Sequence, residues 1–427
     1  MPKSTMQKDQ EKPQLSWSLS IWLDYLQAIH SKSIDMGLAR TQQVFEHLNL
    51  DFSNSKVITV AGTNGKGTTC RMIEVGLLAQ QQSVAVYSSP HIVDYKERVR
   101  VNGNMLSEQA HVQAFMRVEQ ARGQTSLTYF EFATLAALVL IAQQQPQYVI
   151  LEVGLGGRLD AVNIVEPDIA VITSIALDHQ DWLGNTRELI AVEKAGIMRA
   201  QIPVVIGEPE PPVTLLEEVE KFEAKATWQG RDFGFEDRQQ FWRWHNQTRQ
   251  LTQLPLPLIP MQNASTAFQV LSLLGYLPQS QADIALLLQK ASLSGRFELI
   301  SQAPDVIVDV AHNPQATELL ATRIKRMNYN RLHLVVAMLE DKDIAGSLLP
   351  LESLQANWYV ASLNVPRGAQ SKALKTVLTP SQKVVEFDHV TDALQAAKKK
   401  AEQTDLIVVF GSFFTVCEVM ETSSLNK

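Results

Sequence analysis

One segment of the sequence, VITVAGTNGKGT at residues 57–68, has the residue types of a phosphate-binding loop. Its first five residues are rich in β-branched side chains and predict a buried strand, after which three glycines precede an apolar-periodic helix. Backbone N–H groups of such a loop point at an anion, while the helix N-terminus and Lys66 add favourable charge. The generic pattern G-x-x-x-x-G-K-[ST] is not met, because Val60 replaces the first glycine and Gly67 separates Lys66 from Thr68. The order of strand, loop, lysine and helix still favours a phosphate cradle over a loop without function.

Charged side chains at other predicted strand ends could complete a phosphate-transfer site. Glu152 lies inside the apolar strand YVILEV, where an unpaired carboxylate is costly, so a Mg²⁺ ligand explains it better than a structural residue. Asp178 and His179 follow the next predicted strand and precede a helix that carries Lys194. Their spacing alone predicts a satisfied polar cluster. The segment GLGGRLDAVN does not predict dinucleotide binding, since Leu159 stands where G-x-G-x-x-G needs its third glycine.

The elements that must position these groups alternate between strands and helices in two blocks. Strands are predicted at residues 84–87, 148–153 and 169–173, with a buried helix at residues 128–143 before the second strand and a helix containing RELIAVEKAGIMR after the third. Residues 209–258 give weaker signals, namely one helix, short β-like pieces with three tryptophans and a proline-rich run. The alternation then resumes to the C-terminus, which predicts a second α/β unit. We expect a flexible N-terminus over residues 1–16, an ATP-binding domain over 17–290 and a smaller α/β domain over 291–427.

Composition restricts the class of protein. At 427 residues the chain is longer than a single core usually supports, which favours two domains. Lys and Arg number 38 against 45 Asp and Glu, so the net charge is −7 and nucleic acid is not an expected partner. The sequence contains neither a signal-peptide pattern nor an apolar run of about eighteen residues, so we expect a cytoplasmic protein that does not enter the membrane. Its two cysteines give no metal motif and no disulfide framework.

The glycine-rich loop and the segment SSPH at residues 88–91 together resemble the Mur-ligase superfamily, in particular folylpolyglutamate and dihydrofolate synthases. Further matching segments, in chain order, are HSKSIDMGLART, ERVRVNG, TYFE, EVGLGGRLDAVN, LDHQDWLG, EKAGI and DVAHNP. The resemblance extends from about residue 20 to about residue 420 and departs locally at Val162, where the family has threonine, and around Arg367. It implies an α/β fold, with a P-loop ATPase domain of mostly parallel sheet followed by a smaller Rossmann-like glutamate-ligase domain.

The resemblance also implies a nucleotide site and two Mg²⁺ sites, with ATP as a substrate. The residues that it places on ATP are Thr63, Asn64, Gly65, Lys66, Gly67, Thr68, Asn263, Arg296 and Asp309. The residues that it places on the metal ions are Thr68, Ser89, Glu152, His179 and Lys194. Family members carry Lys194 as a carbamate, which is chemically sensible because a buried lysine has a lowered pKa and can capture CO₂. From the residues alone, Ser89 is also explained by a strand-end turn and Arg296 by a solvated linker.

Two further groups of residues are implied to bind the acid and the amino acid. The pterin-side residues are Thr128, Tyr129, Phe130, Glu131, Leu159, Asp160 and Ala161. His312 and Ser412 are placed toward glutamate, and the catalytic residues would be Lys66, Lys194 and His312. The residues alone leave purely structural roles open, because Glu131 could cap a helix and Ser412 could be a helix N-cap.

The function implied by the resemblance is ATP-dependent addition of L-glutamate to dihydropteroate, forming dihydrofolate, and to reduced folates, forming polyglutamates. Both reactions would use an acyl phosphate, and closure of the two domains would exclude water from it. Two alternatives stay open. One is a single-activity folylpolyglutamate synthase or another Mur-type amide ligase, and the other is a non-catalytic nucleotide switch that needs neither His179 nor Lys194. We expect a monomer.

Overall fold

The computed structural model describes residues 13–32 and 34–424. Residues 1–16 were predicted to be a flexible N-terminus, and the first twelve of them lie outside the described residues. Within the described ranges, none of the helices combines the length and the apolar character that crossing a bilayer requires.

The first block forms an eight-stranded sheet, of which four strands were predicted from the sequence. Its strands are β1 Lys56–Ala61, β2 Val84–Tyr87, β3 Val99–Val101, β4 Asn104–Met105, β5 Tyr148–Glu152, β6 Ile169–Ile172, β7 Pro203–Ile206 and β8 Lys225–Trp228. They pair in the order β4-β3-β2-β5-β1-β6-β7-β8, and all neighbours are parallel except the antiparallel pairs that β3 makes with β2 and β4. The central strand β1 lies between β5 and β6, with Val60 opposite Glu152. The loops after β1, β2, β5 and β6 consequently meet at one edge of the sheet, which is where ligands bind in α/β folds.

Helices cover both faces of this sheet. They are α1 Leu19–Ala28, α2 Ala39–Leu48, α3 Lys66–Ala79, α4 Glu108–Arg122, α5 Tyr129–Gln144, α6 Gln180–Leu183, α7 Arg187–Ala195, α8 Val213–Lys221, α9 Met261–Leu273 and α10 Gln281–Lys290. Side chains alternate along β1, so Ile58 and Val60 pack into the core of α3 and α9, whereas Val57 packs into the core of α4 and α5. The strand that precedes the glycine-rich loop is therefore buried on both sides and held rigidly.

The region of weak sequence signals contains an antiparallel three-stranded sheet. Its strands are β9 Phe233–Asp237, β10 Trp242–Asn246 and β11 Gln250–Leu254. Trp242 and Trp244 are fully buried, and their rings lie 5.6 and 5.8 Å from the ring of Phe268 on α9. This small sheet thus packs against α9, next to the segment that leads back toward the glycine-rich loop.

The second block forms a separate six-stranded sheet, as the renewed alternation predicted. Its strands are β12 Glu298–Ser301, β13 Asp305–Asp309, β14 Leu332–Val336, β15 Asn357–Ala361, β16 Lys383–Phe387 and β17 Leu406–Phe410. Its helices are α11 Pro314–Ile324, α12 Ile344–Glu352, α13 Ser371–Val377, α14 Val390–Lys400 and α15 Phe413–Ser424. The order is β12-β13-β17-β14-β15-β16, with only the edge pair β12 and β13 antiparallel. The predicted fold class, a mostly parallel P-loop sheet followed by a smaller α/β unit, is confirmed.

Candidate active site

The glycine-rich loop joins β1 to the N-terminus of α3 and is packed so tightly that a side chain would not fit at Gly62 or Gly65. Gly65 has a φ of +86°, and a Cβ atom there would overlap the side-chain amide of Asn263. A Cβ atom at Gly62 would overlap the hydroxyl of Thr173 at the end of β6. The loop therefore keeps its backbone N–H groups close to the helix N-terminus, as a phosphate cradle requires.

Lys66 and Thr68 lie at the start of α3 and bond to the loop itself. The Lys66 Nζ donates to the carbonyl oxygens of Gly62 and Thr63 at 2.9 and 3.2 Å. Burial lowers the pKa of Lys66, while the nearby carboxylates of Glu152 and Asp178 oppose this shift. The Thr68 hydroxyl donates to the Gly65 carbonyl at 3.1 Å and accepts from the amide of Asn263 at 2.9 Å. Asn263, predicted to bind ATP, thus contacts the floor of the loop.

A small cavity of about 110 Å³ brings together side chains that are far apart in the sequence. It lies at the carboxyl edge of the first sheet and is closed from the other side by residues of the second unit. The side chains of the predicted catalytic and metal residues that line it are those of Lys66, Ser89, Glu152, His179, Lys194 and His312. Asp178 and Phe413, which were not predicted as site residues, line the same cavity.

Glu152 is a buried carboxylate with few protein partners. Only 4% of the residue is exposed, and among the described residues it accepts a single hydrogen bond, from the Ser89 backbone N–H at 3.2 Å. Burial raises the pKa of Glu152, whereas the positive charges of Lys66 and Arg296 lower it. A buried carboxylate with free oxygen lone pairs fits a cation ligand.

Burial favours the neutral forms of Lys194 and His179, and a metal site needs the neutral form of both. Burial lowers the pKa of Lys194 to about 7, and the charge of Lys66 adds to this effect. Its amine has no hydrogen-bond acceptor among the described residues, so a neutral amine there could capture CO₂ and become an anionic ligand. Burial lowers the pKa of His179 to about 4 despite the adjacent Asp178, which keeps the imidazole in the neutral, metal-binding form.

The donor set at the cavity is chemically mixed. Within residues 13–32 and 34–424, no group of three or more His, Cys, Asp or Glu side chains is arranged to hold a metal ion. The predicted metal ligands are instead serine and threonine hydroxyls, the Glu152 carboxylate, the His179 imidazole and the Lys194 amine. Oxygen ligands suit Mg²⁺, and a carbamate on Lys194 would add a further one. The residues therefore fit a divalent cation once that lysine is modified.

Asp178 joins the two units across the cavity. Its carboxylate accepts from the Lys342 Nζ at 2.5 Å and from the Asn313 amide at 3.2 Å, and it lies 3.3 Å from the His312 Nε2. Burial alone would raise the pKa of Asp178, but the hydrogen bond from His312 and the charges of His179, His312 and Lys342 hold it well below its usual range. Sequence reasoning missed Lys342, whose one signal is its place in a charged run after the end of β14.

A larger cavity of about 550 Å³ adjoins the small one, with which it shares Asn64, Gly65, Gly67 and Arg296. It is lined by the predicted ATP residues Asn263 and Asp309, and by the apolar residues 256–261, which were not predicted. The Asp309 carboxylate accepts from the backbone N–H groups of Phe297 and Ala311, at 2.9 and 2.8 Å, and so fixes the loop that carries Arg296.

Arg323 was also missed, since it is one of several charged residues on a helix. Its guanidinium lies 3.9 Å from the centre of the Phe297 ring and donates to the Leu258 carbonyl at 2.7 Å, so it joins α11 to the first unit. Burial lowers the pKa of Arg323 to about 10. The large cavity therefore has the size, the apolar lining and the cationic wall that a nucleotide needs.

The predicted pterin-side residues lie in a different environment, and none of them lines either cavity. Thr128 and Glu131 form a capping box at the start of α5, and the Glu131 carboxylate also bonds to Arg40 and Thr41. The Asp160 carboxylate accepts from the backbone N–H groups of Leu155 and Val162, and burial raises its pKa to about 6. Both carboxylates are thus occupied by the protein itself.

The neighbouring aromatic residues are partly exposed and make softer contacts. The guanidinium of Arg98 lies over the Tyr129 ring, and the distance from its central carbon to the ring centre is 5.6 Å. A Cβ atom at Gly154 would overlap the ring of Phe130, so this glycine allows the ring to lie against the strand end. Ala161 is buried and Leu159 is half-buried.

Ser412 is an N-cap in the structure. Its hydroxyl accepts from the Thr415 backbone N–H at 3.0 Å at the start of α15, and the residue is 3% exposed. Phe413, the next residue, lines the small cavity, with its ring centre 6.2 Å from that of His312. The capping explanation thus holds for the hydroxyl, while the helix terminus points the following residue toward the site.

Two protein families match the chain. Residues 60–275 match the Mur ligase middle domain, and residues 295–413 match the Mur ligase glutamate ligase domain. The chain is 48% identical to the dihydrofolate synthase/folylpolyglutamate synthase of Escherichia coli (strain K12) over 416 residues, which cover 97% of this chain and 98% of that protein.

Solved structures give the same result. The chain resembles E. coli FolC in complex with DHPP and ADP, with a TM-score of 0.92 and 47% identity, over 97% of this chain and 100% of that one. It also resembles a bifunctional folylpolyglutamate synthase/dihydrofolate synthase with Mn, AMPPNP and L-glutamate bound, with a TM-score of 0.88 and 46% identity, over 97% of this chain and 100% of that one.

Proposed function

The chain belongs to the Mur ligase family and is an ATP-dependent ligase with dihydrofolate synthase and folylpolyglutamate synthase activity, and we propose that both reactions use the small cavity. ATP occupies the larger cavity with its phosphates on the glycine-rich loop. The acid is dihydropteroate in one reaction and a reduced folate in the other, and L-glutamate is the amine in both.

The observation that carries this proposal is the convergence of chemically active side chains on one buried space. Lys66 begins α3, Glu152 ends β5, His179 directly precedes α6, and Lys194 lies on α7. His312 comes from the second unit. The adjoining cavity is large enough for a nucleotide, and Arg296 lines both spaces. A nucleotide switch would not need a buried amine and imidazole beside the phosphate loop.

We assign the divalent cation to Mg²⁺ at two positions, although the relative described above holds Mn. Thr68, Ser89 and Glu152 would hold one ion beside the loop. His179, the carbamate of Lys194 and Glu152 would hold the other. Bound there, a cation neutralises negative charge that develops on the transferred phosphoryl group.

Phosphoryl transfer needs positive charge on the phosphate side of the cavity. The γ-phosphoryl group moves from ATP to a carboxylate oxygen of the acid, and ADP leaves. Lys66, which bonds to its own loop carbonyls in this structure, turns its ammonium group to the outer phosphates and stabilises the charge that develops there. Thr63, Asn64, Gly65 and Gly67 supply the surrounding loop, and Asp309 and Arg296 hold the nucleotide from the other unit.

Amide formation needs a positioned amine. The glutamate nitrogen attacks the acyl carbon, the C–N bond forms and the C–O bond to phosphate breaks. Inorganic phosphate leaves and takes up the proton that the nitrogen loses. His312 is held at its Nδ1 by the Val310 carbonyl, at 2.8 Å, and its Nε2 lies beside Asp178 at the cavity. We propose that His312 orients the incoming amine, and that the N-terminus of α15 at Ser412 attracts a glutamate carboxylate.

On the pterin side, the aromatic residues are proposed to contact the ligand and the carboxylates to shape the wall. Tyr129 and Phe130 present partly exposed rings for stacking. Thr128, Glu131, Leu159, Asp160 and Ala161 would act through the backbone that they fix. We further propose domains over residues 17–290 and 291–427, a monomeric enzyme and a cytoplasmic location.

The proposal is tested by supplying the purified protein with ATP and glutamate, and with either dihydropteroate or a reduced folate. We expect ADP and a new glutamyl amide from both acids, and no ADP release when glutamate or the acid is left out. Product from only one acid, with both at saturation, would restrict the site to a single activity. ADP release that is independent of both would instead indicate a nucleotide switch.

A further inference from the structure

A fully buried carboxylate lies on the helix that follows the phosphate loop. Glu74 on α3 has no exposed surface, and it pairs with Arg100 on β3 and with Arg71 one turn earlier on α3, both at 3.0 Å. A buried carboxylate is destabilising unless it is paired, so both arginines are held in place by it.

Arg100 reaches from this carboxylate to the serine turn at the end of β2. Its Nη1 donates to the Ser88 hydroxyl at 3.3 Å and to the Glu97 carbonyl at 3.2 Å. The next residue is Ser89, whose backbone N–H donates to Glu152. The Ser89 hydroxyl itself makes no hydrogen bond to the described residues, so the direction in which it points depends on the backbone on either side of it.

Arg71 uses the same carboxylate but contacts a different part of the molecule. Its Nε donates to the Ser292 carbonyl at 3.2 Å, in the connection between the two units. Among the described residues, Arg71 makes no hydrogen bond to Ser88 or Ser89. The two arginines therefore form a matched pair, because each pairs with Glu74 and only Arg100 donates a hydrogen bond to the serine turn.

We propose that Arg100, anchored on Glu74, is a positioning residue for the Ser88–Ser89 turn and thereby sets the cation affinity of the serine site. The inference rests on the proposed assignment of Ser89 as a metal ligand. Groups that orient a metal ligand without touching the metal commonly change metal affinity strongly when they are removed. Arg100 would act in this way through the Ser88 hydroxyl and the backbone of the turn.

The test is the affinity for Mn²⁺ in the presence of saturating ADP, measured from the electron paramagnetic resonance signal of free Mn²⁺. This readout needs no turnover. Arg100→Ala should weaken Mn²⁺ binding by about 10-fold, the lower end of the range for such supporting groups. Ser88→Ala should weaken Mn²⁺ binding by a smaller factor. The double variant should bind Mn²⁺ no more weakly than Arg100→Ala, because both changes remove the same hydrogen bond between Arg100 and Ser88.

Arg71→Ala is the matched control, since it also removes one partner of Glu74. Its Mn²⁺ affinity should equal that of the wild type, even if its melting temperature falls. Equal weakening in Arg71→Ala and Arg100→Ala would overturn the inference, because loss of any Glu74 partner would then suffice. Wild-type affinity in folded Arg100→Ala would also overturn it. If Arg100→Ala does not fold, Ser88→Ala decides alone, and wild-type affinity in that variant overturns the inference.

Ser89→Ala separates this inference from the proposed function. If Ser89→Ala loses Mn²⁺ binding while Arg100→Ala and Ser88→Ala have no effect, Ser89 remains assigned as a metal ligand and only the positioning role of Arg100 is refuted. Wild-type Mn²⁺ affinity in Ser89→Ala would contradict the assignment of the serine site itself.

Discussion

Two buried polar groups of the small cavity, Lys194 and Glu152, lack the protein partners that the pterin-side carboxylates Glu131 and Asp160 have. At the cavity, the Lys194 amine has no acceptor among the described residues, and Glu152 receives one backbone hydrogen bond. On the pterin side, Glu131 is bonded to Thr128, Arg40 and Thr41. The Asp160 carboxylate likewise accepts two backbone hydrogen bonds.

The difference separates groups that await a ligand from groups that hold the fold. A buried polar group without a protein partner is costly and persists where a ligand compensates it. A buried carboxylate that is fully bonded within the chain contributes to structure. Variants at the cavity should therefore lower the catalytic rate. A variant of a pterin-side carboxylate should instead lower the free energy of unfolding.

Lys66→Ala should give the largest loss of rate. The transferred phosphoryl group would lose a fixed counter-charge, which typically costs about 10²- to 10³-fold in kcat. The matched control is Lys221→Ala, which removes an exposed lysine and should leave kcat unchanged. Near-normal kinetics in folded Lys66→Ala would show that the glycine-rich loop is not the ATP site.

Lys194→Ala should be the next most damaging change, with a loss of at least about 10- to 100-fold, the range for groups that only support a metal ligand, because it removes the anionic ligand itself. Added formate or acetate should restore part of the rate by supplying an anion, whereas neither should restore Lys66→Ala. Mass spectrometry of the native protein should also detect a carbamate on this lysine. An active Lys194→Ala variant would contradict the role of the unpaired amine.

Lys342→Ala should have an intermediate effect on the rate. It removes the cation bonded to Asp178 across the two units, and misplacement of His312 by a fraction of an ångström would cost about 10-fold or more in kcat/KM for glutamate. Lys375→Ala breaks a comparable ion pair with Glu386 on the surface of the same unit and should be silent. Equal kinetics of the two variants would show that the Asp178 contact does not position the site.

Glu131→Gln should have the smallest effect on rate and a measurable effect on stability. It leaves the shape of the cap but removes the charge that faces Arg40, which should lower the free energy of unfolding by about 2 kcal/mol. Denaturant unfolding and the KM for dihydropteroate are the two measurements. A large rise in KM at unchanged stability would mean that this carboxylate contacts the ligand and would remove the contrast between the two regions.

The sequence predicted the fold well because β-branched runs and helical spacing are local properties. The strand before the glycine-rich loop, the buried Glu152 and the chain order of the two units could all be read from neighbouring residues. Two classes of residue could not be read. Lys342 and Arg323 each donate a hydrogen bond to a residue more than sixty positions away, and nothing in their local segments distinguishes them from solvated charges.

The pterin-side carboxylates show a second limit of sequence reasoning. For Glu131, a capping role and a ligand role were equally compatible with its place in the first turn of a helix. Its actual bonds depend on Arg40 and Thr41, which lie on α2 and reach it only in the folded protein. Asp160 likewise bonds to the backbone of its own loop, a geometry that the glycine-rich segment around it does not specify.

The most direct test of the account follows oxygen from the acid to the phosphate. Dihydropteroate labelled with heavy oxygen in its carboxylate is incubated with ATP, glutamate and the enzyme, and the inorganic phosphate is analysed by mass spectrometry. If the cavity forms an acyl phosphate, cleavage of its C–O bond leaves one labelled oxygen in each phosphate released. Unlabelled phosphate, formed together with the amide product, would contradict the mechanism proposed for this site.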